Sequence, residues 1–91
     1  MLPIHFSKTY RKSYKKLACS GSFDPGELER VIDTIASGKP LPRHNKDHAL
    51  TGTLAGFRDC HIEFDLVLIY RITGDGILIL ADIGTHSALF G

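Results

Sequence analysis

Apolar and polar positions recur along this chain with two periods, and the change from one to the other divides it into a helical half and a sheet half. Leu2 to Phe6 is short and apolar and ends at Ser7, the pattern of a brief strand leading into a helix N-cap. From Ser7 to Ala18 the spacing is helical. At about 3.6 residues per turn, Tyr10, Tyr14 and Leu17 share one face, and Lys8, Lys12, Lys15 and Lys16 lie opposite with Arg11 at the margin. Cys19-Ser20-Gly21-Ser22 interrupts the pattern, and Phe23-Asp24-Pro25-Gly26-Glu27-Leu28 starts a second helix. Asp24 suits the N-cap, Pro25 the first helical position, and Glu27 the return arm of a capping box, with Phe23 stapled onto Leu28. Leu28, Val31, Ile32 and Ile35 form the buried stripe, and Gly38 before Lys39-Pro40-Leu41-Pro42 stops the helix. The two helices are expected to pair as an antiparallel hairpin.

After the polar stretch Arg43 to His48 the period becomes two. In Phe57 to Phe64, Cys60, Ile62 and Phe64 fall on a core face, and Asp59, His61 and Glu63 on a wet one. Leu66 to Ile72 and Ile77 to Ile83 are almost continuously apolar, which predicts strands buried on both faces, and Thr73-Gly74-Asp75-Gly76 is a hairpin turn between them. The tail from Gly84 to Gly91 is too short for a further substantial element, and there is no repeat or low-complexity tract. The fold class is α+β, with an N-terminal helical hairpin packed on a twisted antiparallel sheet.

Composition adds a limit. A chain of 91 residues, 43% hydrophobic and 23% charged, is one globular domain spanning 1–91 with one core. A domain of this size buries only roughly 60 to 65% of its unfolded surface, so a shallow, open site is expected. No apolar run approaches the roughly 20 residues of a membrane span, and Met1-Leu2-Pro3-Ile4-His5 lacks signal-peptide character, which predicts a cytoplasmic protein without membrane contact. Two cysteines, Cys19 and Cys60, are expected as reduced, partly buried thiols. Net charge is +1, yet residues 1–23 carry five basic side chains and no acid, against six basic and ten acidic in residues 24–91. The basic first segment suits a polyanionic partner, and equally a solvated helix face.

Four of the five histidines, His44, His48, His61 and His86, fall in the second half, at expected loops or on the wet strand face. Histidine titrates nearest neutral pH and suits general acid and base work. His44 and His48 would make a metal pair only on a helix. The preceding prolines, the lack of HExxH and the opposite parity of Cys60 and His61 argue against a metal site. Asp65 follows His61 by four residues and can orient an imidazole; His86 sits between hydroxyl residues in Gly84-Thr85-His86-Ser87.

Lys46-Asp47-His48-Ala49-Leu50-Thr51-Gly52, Gly56-Phe57-Arg58-Asp59-Cys60-His61-Ile62-Glu63, Asp65, Leu68-Ile69-Tyr70 and Gly84-Thr85-His86-Ser87-Ala88-Leu89-Phe90-Gly91 occur in order and at close spacing. In these motifs the chain resembles the YafQ-type toxins of the RelE superfamily; the match is specific from His48 onward, and the helical half is compatible with it. The resemblance implies a RelE-like fold and a ribosome-dependent messenger-RNA endoribonuclease, the toxin of a type II toxin–antitoxin pair. It implies metal-independent cleavage without a cofactor, by attack of a ribose 2′-hydroxyl on the adjacent phosphate. The family's catalytic residues match His48, His61, Asp65 and His86, with His86 expected as acid and His48 or Asp65 as base. Phe90 matches the C-terminal phenylalanine and can stack on a splayed base. Lys8, Arg11, Lys12, Lys15 and Lys16 would meet ribosomal RNA. The implied partners are the ribosome with its messenger, a cognate antitoxin and, through the antitoxin complex only, operator DNA.

Two positions depart from the family pattern. Asp82 stands where an arginine is common, and is expected to repel phosphate and raise the pKa of a nearby histidine; Arg58 and Arg71 are candidates to supply the missing cation at the substrate. Phe64-Asp65-Leu66 stands where Pro-Asp-Trp is common, with a looser turn and one stacking surface lost. Both leave open an attenuated module that binds antitoxin and operator without cutting RNA. A gyrase-poisoning ParE-like relative is less compatible, because the catalytic histidines usually absent there are present.

Overall fold

The near-continuous apolarity of Leu66 to Tyr70 is explained by position: these residues belong to the central strand of a five-stranded sheet and all five are buried. The computed structural model describes residues 1–21 and 23–91. Strands β1 (Ile4–Phe6), β2 (His48–Ala49), β3 (Arg58–Glu63), β4 (Leu66–Ile72) and β5 (Leu78–Gly84) lie in the order β1-β5-β4-β3-β2. Helices α1 (Lys8–Ser20), α2 (Pro25–Ala36) and α3 (His86–Phe90) complete the α+β fold. The sheet is mixed rather than wholly antiparallel, because β1 pairs in parallel with β5, Ile4 opposite Leu78. Parallel partners need a crossover connection, and here the chain between Phe6 and Leu78 supplies it. Ser7 fixes the entry to α1: its Oγ accepts from Tyr10 N–H and donates to the Ala81 carbonyl at 2.9 Å.

One face of the sheet carries Cys60, Ile62, Leu68, Leu78, Leu80 and Ile83, which share a core with Tyr10 of α1 and Leu28, Val31, Ile32 and Ile35 of α2. α1 lies chiefly against β5 and α2 against β3. Between the helices Phe23 stands edge-on to Tyr14 at 5.7 Å. α1 runs past Ala18 to Ser20 and is closed by Gly21 at φ 68°, which only glycine adopts without cost; Ser22, expected in this break, lies outside the described residues. Asp24 caps α2 by accepting from Gly26 N–H and Glu27 N–H, but the expected return bond from Glu27 is not made. Glu27 pairs with Arg30, and Asp24 N–H donates instead to Glu63 Oε1 at 2.9 Å, tying the helix start to the end of β3.

The parity of β3 needs two corrections. Phe64 is fully exposed rather than core, because the register shifts between His61 and Glu63 and leaves it in the turn beyond the strand. Asp59, expected wet, is only 3% exposed, since it stands between His48 on β2 and Ile69 on β4 in the sheet's interior. Cys60 is buried and free, its thiol pushed up to about 12 by that burial, and Cys19 is exposed and free. The tail after β5 forms a helix of its own: Thr85 caps α3 by accepting from Ala88 N–H, and Gly84 lets Ala88 and Leu89 approach the strand. Among the described residues no helix is long and apolar enough to cross a membrane.

Candidate active site

Strand alternation puts His61 of β3 on the face of the sheet opposite the helical core, and α3 delivers His86 to the same end of that face. The two rings lie 5.0 Å apart, and Phe90, one helical turn beyond His86, stands 6.0 Å from it. An open cleft of about 600 Å³ is lined by His44, Lys46, His61, Glu63, Phe64, Asp65 and His86, among others. Burial pushes the His61 pKa below its ordinary value, and the neighbouring His86 adds to the effect. His61 is therefore largely neutral at pH 7.

Each of the other two histidines backs onto a carboxylate. Asp65, in the left-handed region at φ 59°, turns the chain from β3 into β4. Its Oδ1 accepts from the backbone N–H of His86 at 3.1 Å and lies 3.2 Å from the His86 ring Nδ1. These bonds, the backbone one first, hold its carboxyl below the usual range. On β2, His48 Nδ1 is 2.9 Å from the Lys46 carbonyl oxygen and 3.0 Å from Asp59 Oδ1. A carbonyl oxygen only accepts, so in the neutral ring Nδ1 holds the proton and Nε2 keeps the lone pair. Burial pushes the Asp59 carboxyl up from its ordinary value, against the pull of His48, His61 and His86.

The candidate cations fall elsewhere. Arg58 shares its parity with Cys60, on the helical side of the sheet, where its guanidinium holds the Asp47 carboxylate through Nε at 3.2 Å and Nη2 at 3.3 Å. Arg71 is on the site face but four residues along β4 from Val67, the partner of His61, or about 13 Å away, with its guanidinium over the Phe57 ring. Lys46 is the one lysine or arginine lining the cleft among the described residues. Sequence reasoning missed it, and missed Asp59 and the buried Asn45; nothing in the local pattern of Arg43 to His48 marks a turn that folds back over β3. Asp82 does not enter the cleft: its carboxylate accepts from Ser13 Oγ of α1 at 2.6 Å. Asp82 is not among the groups that shift His61, whose pKa moves down through burial. Leu66 is buried in the core, and two residues earlier Phe64 stands exposed in the lining of the cleft. His44 and His48 sit on a 3-10 turn (Arg43–Asn45) and on β2, not on one helix, and among the described residues no group of three His, Cys, Asp or Glu side chains is placed to hold a metal ion. Lys8, Arg11, Lys12, Lys15 and Lys16 are all exposed along α1.

Residues 2–91 match the family described as bacterial toxin of type II toxin-antitoxin system, YafQ. The chain belongs to the YafQ toxin family. It is 40% identical over 89 residues to the mRNA interferase toxin YafQ of Escherichia coli K12, covering 97% of this chain and 95% of that one. YafQ in a crystal structure of the Escherichia coli DinJ-YafQ complex superposes with a TM-score of 0.85 at 38% identity, covering all of both chains. A copper-bound mutant toxin from Helicobacter pylori gives a TM-score of 0.91 at 40% identity, over 99% of this chain and 100% of that one.

Proposed function

We propose that the protein is a ribosome-dependent messenger-RNA endoribonuclease, the toxin of a type II toxin–antitoxin pair. The observation that carries this is the convergence of His61, Asp65 and His86 on one open cleft, with Lys46 in its lining and His48, paired with Asp59, on the neighbouring edge strand. His48 Nε2 takes the proton of a ribose 2′-hydroxyl, whose oxygen attacks the adjacent phosphorus. His86 gives a proton to the leaving 5′-oxygen, so the products are a 2′,3′-cyclic phosphate and a 5′-hydroxyl. Asp65 serves His86 rather than acting as the base, because its Oδ1 is already engaged by that residue's backbone and ring. Lys46 meets the charge that builds on the phosphorane, the part Arg58 and Arg71 are too far displaced to play. Phe64 and Phe90 offer rings to unstacked bases.

The basic side of α1 positions the toxin on ribosomal RNA without reading sequence. An antitoxin covering the cleft and this stripe silences it, and the complex reaches operator DNA through the antitoxin. The protein acts in the cytoplasm, where the ribosomes are. Primer extension on a defined messenger in a bacterial cell-free translation reaction tests the reading. Wild type gives discrete cuts that require ribosomes and vanish in His86→Ala; no cuts from wild type, or cuts that survive in His86→Ala, overturn it. Asp82→Arg leaves the rate within about threefold, because that carboxylate faces Ser13 rather than the cleft. A larger gain would mark the wild type as attenuated at this position.

A further inference from the structure

β2 is only two residues long and lies at the edge of the sheet, yet it carries the histidine assigned above as the base. Its ladder pairs His48 with Asp59 and Ala49 with Arg58, too little backbone pairing to hold an imidazole still. Side chains on either side of β2 make up the difference. Asn45, fully buried, donates from Nδ2 to the His61 carbonyl at 2.7 Å. Lys46 turns the chain at φ 49°. Asp47 then reaches under β3 to the helical side of the sheet. There its Oδ1 accepts from the Tyr70 hydroxyl at 2.6 Å, and both carboxylate oxygens accept from the Arg58 fork. Tyr70 is 3% exposed on the central strand, which is paired on both sides.

We infer that Asp47, Arg58 and Tyr70 form a clamp on the face of the sheet opposite the cleft, whose task is to position His48. Asp47 immediately precedes β2 with its side chain bonded on the helical face, while the adjoining His48 ring meets Asp59 of the opposite parity, so pinning Asp47 restrains the backbone that carries His48. Arg58 is thereby a positioning residue and not a phosphate ligand. The Tyr70 hydroxyl donates to a carboxylate and the Arg58 fork is bidentate, the strong and directional kind of bond that a positioning device requires. The inference rests on the proposed role of His48.

The test uses the full chain carrying Tyr70→Phe, which removes one hydroxyl, Asp47→Asn, which removes the charge, and Arg58→Lys, which keeps the charge without the fork. Two readouts are taken: kcat and KM for messenger cleavage on ribosomes, and the nitrogen chemical shifts of the His48 ring in the free protein, which report its tautomer. A displacement of about 1 Å can cost about a hundredfold in rate, so kcat falls about a hundredfold in Asp47→Asn and about tenfold in Tyr70→Phe, with KM unchanged. Arg58→Lys falls between, and in Asp47→Asn the His48 ring moves toward a mixture of tautomers while His61 and His86 keep their signatures. Loss of thermal stability with kcat and the His48 tautomer unchanged would make the clamp merely structural, and a rise in KM alone would return Arg58 to substrate binding; either overturns the inference. His48→Gln is run in parallel. If it cleaves at the wild-type rate the assignment of the base fails, whereas the ring signature still reports whether the clamp holds His48.

Discussion

Asp59 is a carboxylate that the fold tolerates at a cost, and replacing it by asparagine measures that cost. The side chain is buried, its Oδ1 makes no well-aligned hydrogen bond, and its pKa stands above its ordinary value. A carboxyl whose pKa is raised by folding destabilises the native state whenever the pH lies above both values, by about 1.4 kcal/mol for each unit of the rise. Asparagine keeps the shape and the need for a partner but sheds the charge. Asp59→Asn should therefore be more stable than wild type by about 1–2 kcal/mol at pH 8, the scale of relieving one poorly compensated buried charge. The advantage should close as pH falls toward about 4, where Asp59 takes up its proton in both folded and unfolded wild type. Urea unfolding of both proteins at several pH values is the assay. Asparagine that destabilises equally at pH 8 and pH 4 would show that the site holds the carboxylate for packing or hydrogen bonding, and would refute the argument. Cleavage by the same variant should slow, because the imidazolium formed at His48 loses the anion 3.0 Å from its Nδ1.

Other expectations concern the cap, pH and charge. Asp24→Ala should cost about 1 kcal/mol of stability through loss of the α2 cap, while Glu27→Gln costs almost nothing because only the backbone N–H of Glu27, not its side chain, takes part in that cap; thermal melts compare them. His61 binds its proton less readily folded than unfolded, so its contribution to stability is full above about pH 6.5 and is lost as pH falls through that value. His61→Gln should flatten the melting temperature between pH 7 and 5, and an unchanged pH dependence would count against the shift. Reversing Lys8, Lys12 and Lys15 to glutamate should weaken ribosome binding and lower its dependence on salt in sedimentation assays. Equal binding at every salt concentration would remove α1 from the interface.

Period and punctuation placed most of the fold. The core stripes of α1 and α2, the central strand and the β4–β5 turn are each dictated by neighbours in sequence, and they lie where the pattern put them. What local pattern misses is what distant residues decide. The parallel pairing of β1 depends on β5, the partner of Asp24 N–H is Glu63, and the burial of Asp59 depends on strands either side of it. His61, Asp65 and His86 line one cleft, with Phe90 beside His86, whereas His48, named with them from the same resemblance, stands on the edge strand outside that lining. Arg58 is separated from them because one step of strand parity sends a side chain to the other face. Lys46 and Asn45 were hidden in a polar stretch whose meaning lies in what it folds against.

The pairing of the first strand with the last also governs when the toxin exists during synthesis. Ser7, bonded to the Ala81 carbonyl 74 residues away, and β1, laid beside β5, have no partners until the segment after Ile77 has left the ribosome. Sheet closure therefore waits for a long-range contact, the slow kind, and His86 follows that strand directly. A nascent chain on the ribosome carries the basic helix and two of the three histidines but no complete cleft. The site proposed above is therefore assembled only after β5 and α3 have been made.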